Sequence, residues 1–97
     1  MTRRAAKVDT TQKPIVDALR ADPVNAKVLH LHRVGHGCPD LAVYHGKTWT
    51  FLECKSPGGK LTPAQENWHD HFAGAAFIVT SPEEAVNIVL GRSQGVA

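Results

Sequence analysis

The stretch CPDLAVYHGKTWTFLECKS, residues 38–56, decides the fold. DLAVYH and TWTFLECK are rich in β-branched and aromatic residues, and His45-Gly46-Lys47 between them forms a tight turn, so the segment reads as a hairpin. Successive strand residues face opposite sides. Trp49, Phe51 and Glu53 therefore share a face with Lys55 next along it, while Leu52 and Cys54 point the other way. An acid and a base side by side on a strand break the local apolar pattern. Such breaks gather at functional sites.

Outward from the hairpin, the remaining elements follow from their stop and start signals. AKVLHLHRV (26–34) sets Val28, Leu29, Leu31 and Val34 in a β-like run of imperfect alternation, and the glycine-rich turn GHGCPD (35–40) leads into the hairpin. TTQKPIVDALRAD (10–22) predicts a helix with Thr11 as its cap, Pro14 in its first turn, and Ile15, Val16 and Leu19 on one face; Asp22-Pro23 ends it. Residues 1–9 are basic without apolar periodicity, which predicts a flexible arm ahead of a single domain over residues 10–97.

Downstream, the loop SPGGK precedes LTPAQENWHDHF, where Thr62, Pro63 and Gln65 are an N-cap, a first-turn proline and a capping-box partner, and Trp68 and Phe72 give an apolar stripe. AAFIVT is a short buried strand. SPEEAVNIVLGR repeats the entry device with Ser81, Pro82 and Glu84 and stops near Gly91. The order αβββαβα predicts an α/β (α+β) fold. Three meandering strands and a helical crossover to a fourth should make a four-stranded mixed sheet flanked by helices.

Ninety-seven residues suffice for one modest core. No apolar run approaches the ~20 residues of a membrane helix, and no apolar segment follows the first arginines, so no membrane partner and a cytoplasmic location are expected. Cys38 and Cys54 read as free thiols in that compartment. Residues 1–60 hold ten of the eleven Lys and Arg against five acids, while residues 61–97 hold one base against four acids. One basic side suits a polyanionic partner.

If the hairpin strands pair through Gly46-Lys47, the start of one lies beside the end of the other, bringing Asp40 and Glu53 within reach of one ion. Two carboxylates with few other ligands suit Mg²⁺, which keeps several waters, and the backbone carbonyl of Cys54 is a further oxygen donor. Beside a scissile phosphate, the ammonium of Lys55 would orient a water and offset developing charge. A surface ion pair explains Glu53-x-Lys55 taken alone. The Gly37-x-Pro39-Asp40 element ahead of the strand makes the catalytic reading the stronger one.

GCPDLAVYHGKTWTFLECKSPGGKLTPAQENWHDHF resembles the PD-(D/E)XK nuclease superfamily, and within it the small VRR-NUC type found in phage and bacterial proteins. The likeness spans residues 28–81 in element order as well as motif, with Pro39-Asp40 and Glu53-Cys54-Lys55 as the two halves of the signature. It implies a restriction-endonuclease-like core, Mg²⁺ or Mn²⁺ at Asp40 and Glu53, and catalytic assistance from Lys55. Gln65 matches a glutamine that the family often sets beside the active site. Related nucleases often carry an acid in the first helix. Gln12 stands at the best-matching position, with Asp9 and Asp17 as the nearby acids.

Six histidines raise zinc as an alternative, but neither a C-x-x-C pair nor a helical H-x-x-x-H is present. His36, in the glycine turn, is the histidine best placed to meet substrate. Lys60, in the loop after Lys55, and Arg3 and Arg4, in the arm, are candidate phosphate contacts. Three functions compete: a metal-dependent endonuclease acting on DNA, selective for branched, flap or junction forms; a DNA-binding module that kept the fold and lost the chemistry; and an accessory partner-binding domain. The small surface favours a homodimer with two sites, as in junction-resolving relatives.

Overall fold

The computed structural model describes residues 3–94. Its elements are α1 (Arg3–Arg20), β1 (Lys27–His30), β2 (Leu41–His45), β3 (Thr48–Cys54), α2 (Pro63–His71), β4 (Ala76–Val79) and α3 (Pro82–Gln94). The strands lie in the order β1-β2-β3-β4, antiparallel up to β3 and parallel between β3 and β4. This is the mixed α+β sheet that the element order predicts.

The hairpin register is set at its turn. His45 pairs with Thr48, leaving Gly46 (φ 56°) and Lys47 (φ 63°) as a two-residue loop with both residues in the left-handed region. A two-residue loop of that kind matches the twist of the strands it joins. The turn also rests on α3: a Cβ at Gly46 would lie 2.5 Å from Ser93 Cβ, and His45 Nδ1 is 2.9 Å from Ser93 Oγ.

The two sheet faces differ. Val28, Leu41, Val43, Leu52 and Val79 bury against Ile15, Val16 and Leu19 of α1 and Ala85 and Val89 of α3. This is the dry core. Among the described residues the other face carries α2 alone, held through Phe51 against Trp68 (ring centroids 5.6 Å apart), with Phe72 stacked on Trp68 at 4.1 Å. No residue of α2 is buried. Much of that sheet face therefore stays open to solvent.

Two boundaries differ from expectation. The first helix starts at Arg3, so the stretch expected as an arm is helical over residues 3–9, and Thr11 and Pro14 lie inside the helix instead of at its start. Arg, Lys and Ala are strong helix formers without needing an apolar stripe, which is why periodicity missed the segment. Pro14 removes one hydrogen bond from the helix, and the buried Ile15, Val16 and Leu19 anchor the turns around and after it. Strand β1 stops at His30: one further bond, Leu31 N–H to Asp40 O at 2.8 Å, precedes a turn closed by Val34 N–H to Leu31 O. The chain has to reverse there to pair antiparallel, which leaves Val34 exposed.

Candidate active site

Leu41 faces Leu52 in the hairpin ladder, so Asp40 and Glu53 fall opposite one another where the paired strands part. Pro39 is fully buried and fixes the entry of β2 to the core. Asp40 Oδ2 then accepts the Cys54 backbone N–H at 2.8 Å, which clasps the two strands at that end. A third element comes from the other side. Thr62 and Gln65 complete the capping box at the start of α2, Gln65 Oε1 accepting the Thr62 N–H at 2.9 Å. The remaining amide nitrogen, Gln65 Nε2, donates to Glu53 Oε2 at 3.1 Å. Capping and site contact are thus performed by one side chain.

Glu53 is 2% exposed. Lys55 Nζ lies 3.7 Å from its Oε2, while its Oε1 is buried without a hydrogen-bond partner. Burial pushes the Glu53 carboxyl up to about 7, and the negative charge of Asp40 adds to the rise, while Lys55 pulls the other way. Burial also pushes the Cys54 thiol up to about 12, with Asp40 and Glu53 reinforcing it, so Cys54 is a packing group there and not a thiolate. Cys38 is raised for the same reasons, burial first, then Glu53 and Asp40. Both cysteines are free thiols.

These groups line an open cleft of about 310 Å³, with Thr11, Asp40, Glu53, Cys54, Lys55, Ser56 and Gln65 on its walls. Thr11 Oγ1 and Ser56 Oγ, 3.3 Å apart, join α1 to the loop after β3 at its edge. The sequence pattern points to neither: Thr11 reads as a helix cap and Ser56 as part of the SPGGK loop. Gly37, part of the Gly37-x-Pro39-Asp40 element, has a further role that its sequence setting does not show: at φ +82° it lies so close to α2 that a Cβ would fall 2.2 Å from Ala64 O and 2.8 Å from Gln65 N. The glycine turn and the start of α2 are in backbone contact.

The other candidates lie elsewhere. His36 (φ 57°) and Lys60 are exposed and are not among the residues lining the cleft. Arg3 and Arg4 occupy the first turn of α1, and their side chains, like that of Asp9, fall outside the described residues. Gln12 is buried, but its Nε2 meets His30 Nδ1 at 3.0 Å, in a separate depression shared with Asp17 and Arg20. Asp17 faces solvent and pairs with Lys13 at 2.7 Å. None of these side chains brings a first-helix acid to the cleft among the described residues.

Among the described residues no group of three or more His, Cys, Asp and Glu side chains is placed to hold a metal ion. A cation at the cleft would rest on Asp40 and Glu53, completing its shell with water, main-chain and substrate oxygens. Hard oxygen donors of low number fit Mg²⁺ or Mn²⁺ and not a closed zinc site. The partnerless Glu53 Oε1, buried beside a second carboxyl, is the atom that such an ion would satisfy.

The VRR-NUC domain matches residues 6–82, from α1 to the start of α3. No curated protein and no solved structure matches the chain. No helix among the described residues is long and apolar enough to cross a membrane. The matched span contains every element that builds the cleft, and the chain belongs to the VRR-NUC domain family, a PD-(D/E)XK-type family of nuclease domains for which DNA is the implied partner.

Proposed function

We propose that the domain is a divalent-metal-dependent DNA endonuclease that hydrolyses phosphodiester bonds, with selectivity for branched, flap or junction forms and with two sites in a homodimer. The observation that carries this reading is the Asp40–Glu53 pair, held face to face with one buried carboxylate oxygen left without a protein partner. A bound Mg²⁺ or Mn²⁺ would supply positive charge to a scissile phosphate and acidify water. The chain's own residues do the rest. Gln65 fixes the rotamer of Glu53 through its Oε2, and Asp40 is fixed through the Cys54 N–H. Lys55, sheltered beside Glu53, orients the attacking water and offsets charge on the phosphate in the transition state. The Cys54 carbonyl is a further oxygen for the ion.

DNA contacts outside the cleft are assigned to His36, Lys60, Arg3 and Arg4. For Lys60 the support is the loop path: a Cβ at Gly59 would lie 3.4 Å from Lys55 Cβ, so the SPGGK loop folds back over the catalytic lysine. The test is cleavage of labelled single-strand, duplex, flap and four-way-junction DNA with Mg²⁺ or Mn²⁺, with EDTA and Glu53→Ala as controls. Cutting that needs the metal and vanishes in the variant is the expected result. Salt-sensitive binding without cutting would instead make the domain a non-catalytic DNA-binding module.

A further inference from the structure

The open sheet face bears an aromatic row that the nuclease chemistry does not use. Lys27 pairs with Tyr44, and Tyr44 pairs with Trp49, so these three residues stand side by side across β1, β2 and β3 with their side chains on one face. Trp49 alternates in step with Phe51 and Glu53, which puts the row on the same face as the catalytic glutamate. Glu53 lies four residue steps along β3 from Trp49, roughly 13 Å at ~3.3 Å per residue. Tyr44 and Trp49 are 37% and 45% exposed, with ring centroids 5.0 Å apart. Leu29, one row nearer the site, is half exposed too.

A contiguous patch of exposed aromatic side chains marks a contact surface. The charges around the row indicate what meets it. Lys27 ends it, Lys47 projects from the adjoining turn, both are exposed, and neither the row nor the turn contains an acid. A second copy on this face would add its own lysines to a row and turn that hold no acid to pair with them. A polyanion with aromatic faces satisfies both features: bases stack on Trp49 and Tyr44, and phosphates meet Lys27 and Lys47. Paired bases are already stacked within a duplex, so the row suits unpaired nucleotides.

We propose that Lys27, Tyr44, Trp49 and Lys47 form a stacking subsite for an unpaired segment of DNA running along the sheet face towards Glu53. The proposal rests on the nuclease reading for its substrate, and it gives a physical basis for preferring flaps or single-stranded branches over blunt duplex.

The test is binding of a short fluorescent oligothymidine to the full chain in EDTA, measured by anisotropy, so that affinity is scored without chemistry. Trp49→Ala should weaken binding about tenfold, Trp49→Phe about twofold, and neither should change the salt dependence, since no phosphate contact is lost. Thermal midpoints close to wild type would show that both variants fold, as expected for an exposed side chain. With metal added, Trp49→Ala should cut flap DNA more slowly and blunt duplex at the wild-type rate. Three results would overturn the subsite: no oligothymidine binding by wild type, undiminished binding by Trp49→Ala, or a wild-type dimer that Trp49→Ala dissociates, which would give the face to a second copy. Failure of the nuclease reading looks different: binding would fall in Trp49→Ala while no DNA was cut by wild type.

Discussion

Gln65 holds Glu53 from the first turn of a helix that it also caps, its Oε1 on the Thr62 N–H and its Nε2 on Glu53 Oε2. Stability and site geometry therefore pass through one side chain, and two substitutions separate them. Gln65→Ala loses both, and should cost about 1 kcal/mol of stability and about tenfold in kcat, the usual scale for a group that orients a ligand. Gln65→Glu keeps an acceptor for the Thr62 N–H but sets another carboxyl against Glu53, so it should fold like wild type and still lose activity. Thermal melts beside kcat and KM measure both. Normal cleavage by Gln65→Glu would show that donation to Glu53 does not matter.

Gly37 should be the least replaceable glycine of the turn. Gly35 and Gly37 both have positive φ, +76° and +82°, so alanine at either carries a similar backbone strain of about 1 kcal/mol. Only at Gly37 does the new Cβ meet backbone, that of Ala64 and Gln65. Gly35→Ala should thus lower the melting midpoint modestly with kcat preserved. Gly37→Ala should push α2 from the hairpin and cost at least tenfold in kcat. Equal effects from the two variants would mean that the contact with α2 does not position Gln65.

How much of this was legible in the sequence depends on the range over which each feature is determined. The hairpin, its face assignments and the α2 capping box are local, set by alternation and by residues three apart, and the structure has them as read. The opposition of Asp40 and Glu53 follows from one turn, since a two-residue loop fixes the register. Features that depend on distant backbone were not readable: Gly37 against Ala64, Thr11 against Ser56, and Gln12 bonded to His30. The second entry device shows the limit of a motif. Ser81 Oγ does accept the Glu84 N–H at 3.2 Å, but the Glu84 carboxylate accepts the Thr80 N–H at 2.6 Å, one residue earlier than a capping box would have it. The start of α1 was missed because helix propensity without an apolar face leaves no periodic signal.

In metal-free protein, Glu53 should make stability fall as pH rises. Its carboxyl ionises near 4.5 when unfolded and at about 7 when folded, so between those values the folded chain holds a proton that the unfolded chain releases. The favourable contribution is complete below about 4.5 and lost as pH rises through about 7. Glu53→Gln cannot ionise, and should be more stable than wild type at pH 8 by about 3 kcal/mol, with the gap closing towards pH 5. Urea titrations in EDTA across that range measure it. Added Mg²⁺ should restore wild type at pH 8 and leave Glu53→Gln little changed. A gap independent of pH would mean that the carboxyl is already ionised across the whole range.

Arg92 fastens α3 to the sheet and should matter for folding without touching catalysis. Its Nε donates to Thr50 Oγ1 at 2.7 Å and its Nη2 to the Trp49 carbonyl at 2.8 Å, while Nη1 reaches the Gly74 carbonyl and the guanidinium lies 5.4 Å from the centre of the Phe77 ring. Thr50 is 1% exposed, so Arg92→Ala would strand a buried hydroxyl as well as removing charge-assisted bonds, at about 2–3 kcal/mol. Thr50→Val removes the hydroxyl that needs a partner. The double variant should therefore be less destabilised than the two single losses added together. Urea titrations of the four proteins measure that coupling. The cleft lies at the far end of β3 from Thr50, so kcat per folded molecule should be unchanged in each. Strict additivity would assign the role of Arg92 to its carbonyl and aromatic contacts alone. A fall in kcat at a temperature where the variants are folded would show that α3 bears on the cleft through the sheet, in which case the loss should be largest in Arg92→Ala and absent from Thr50→Val.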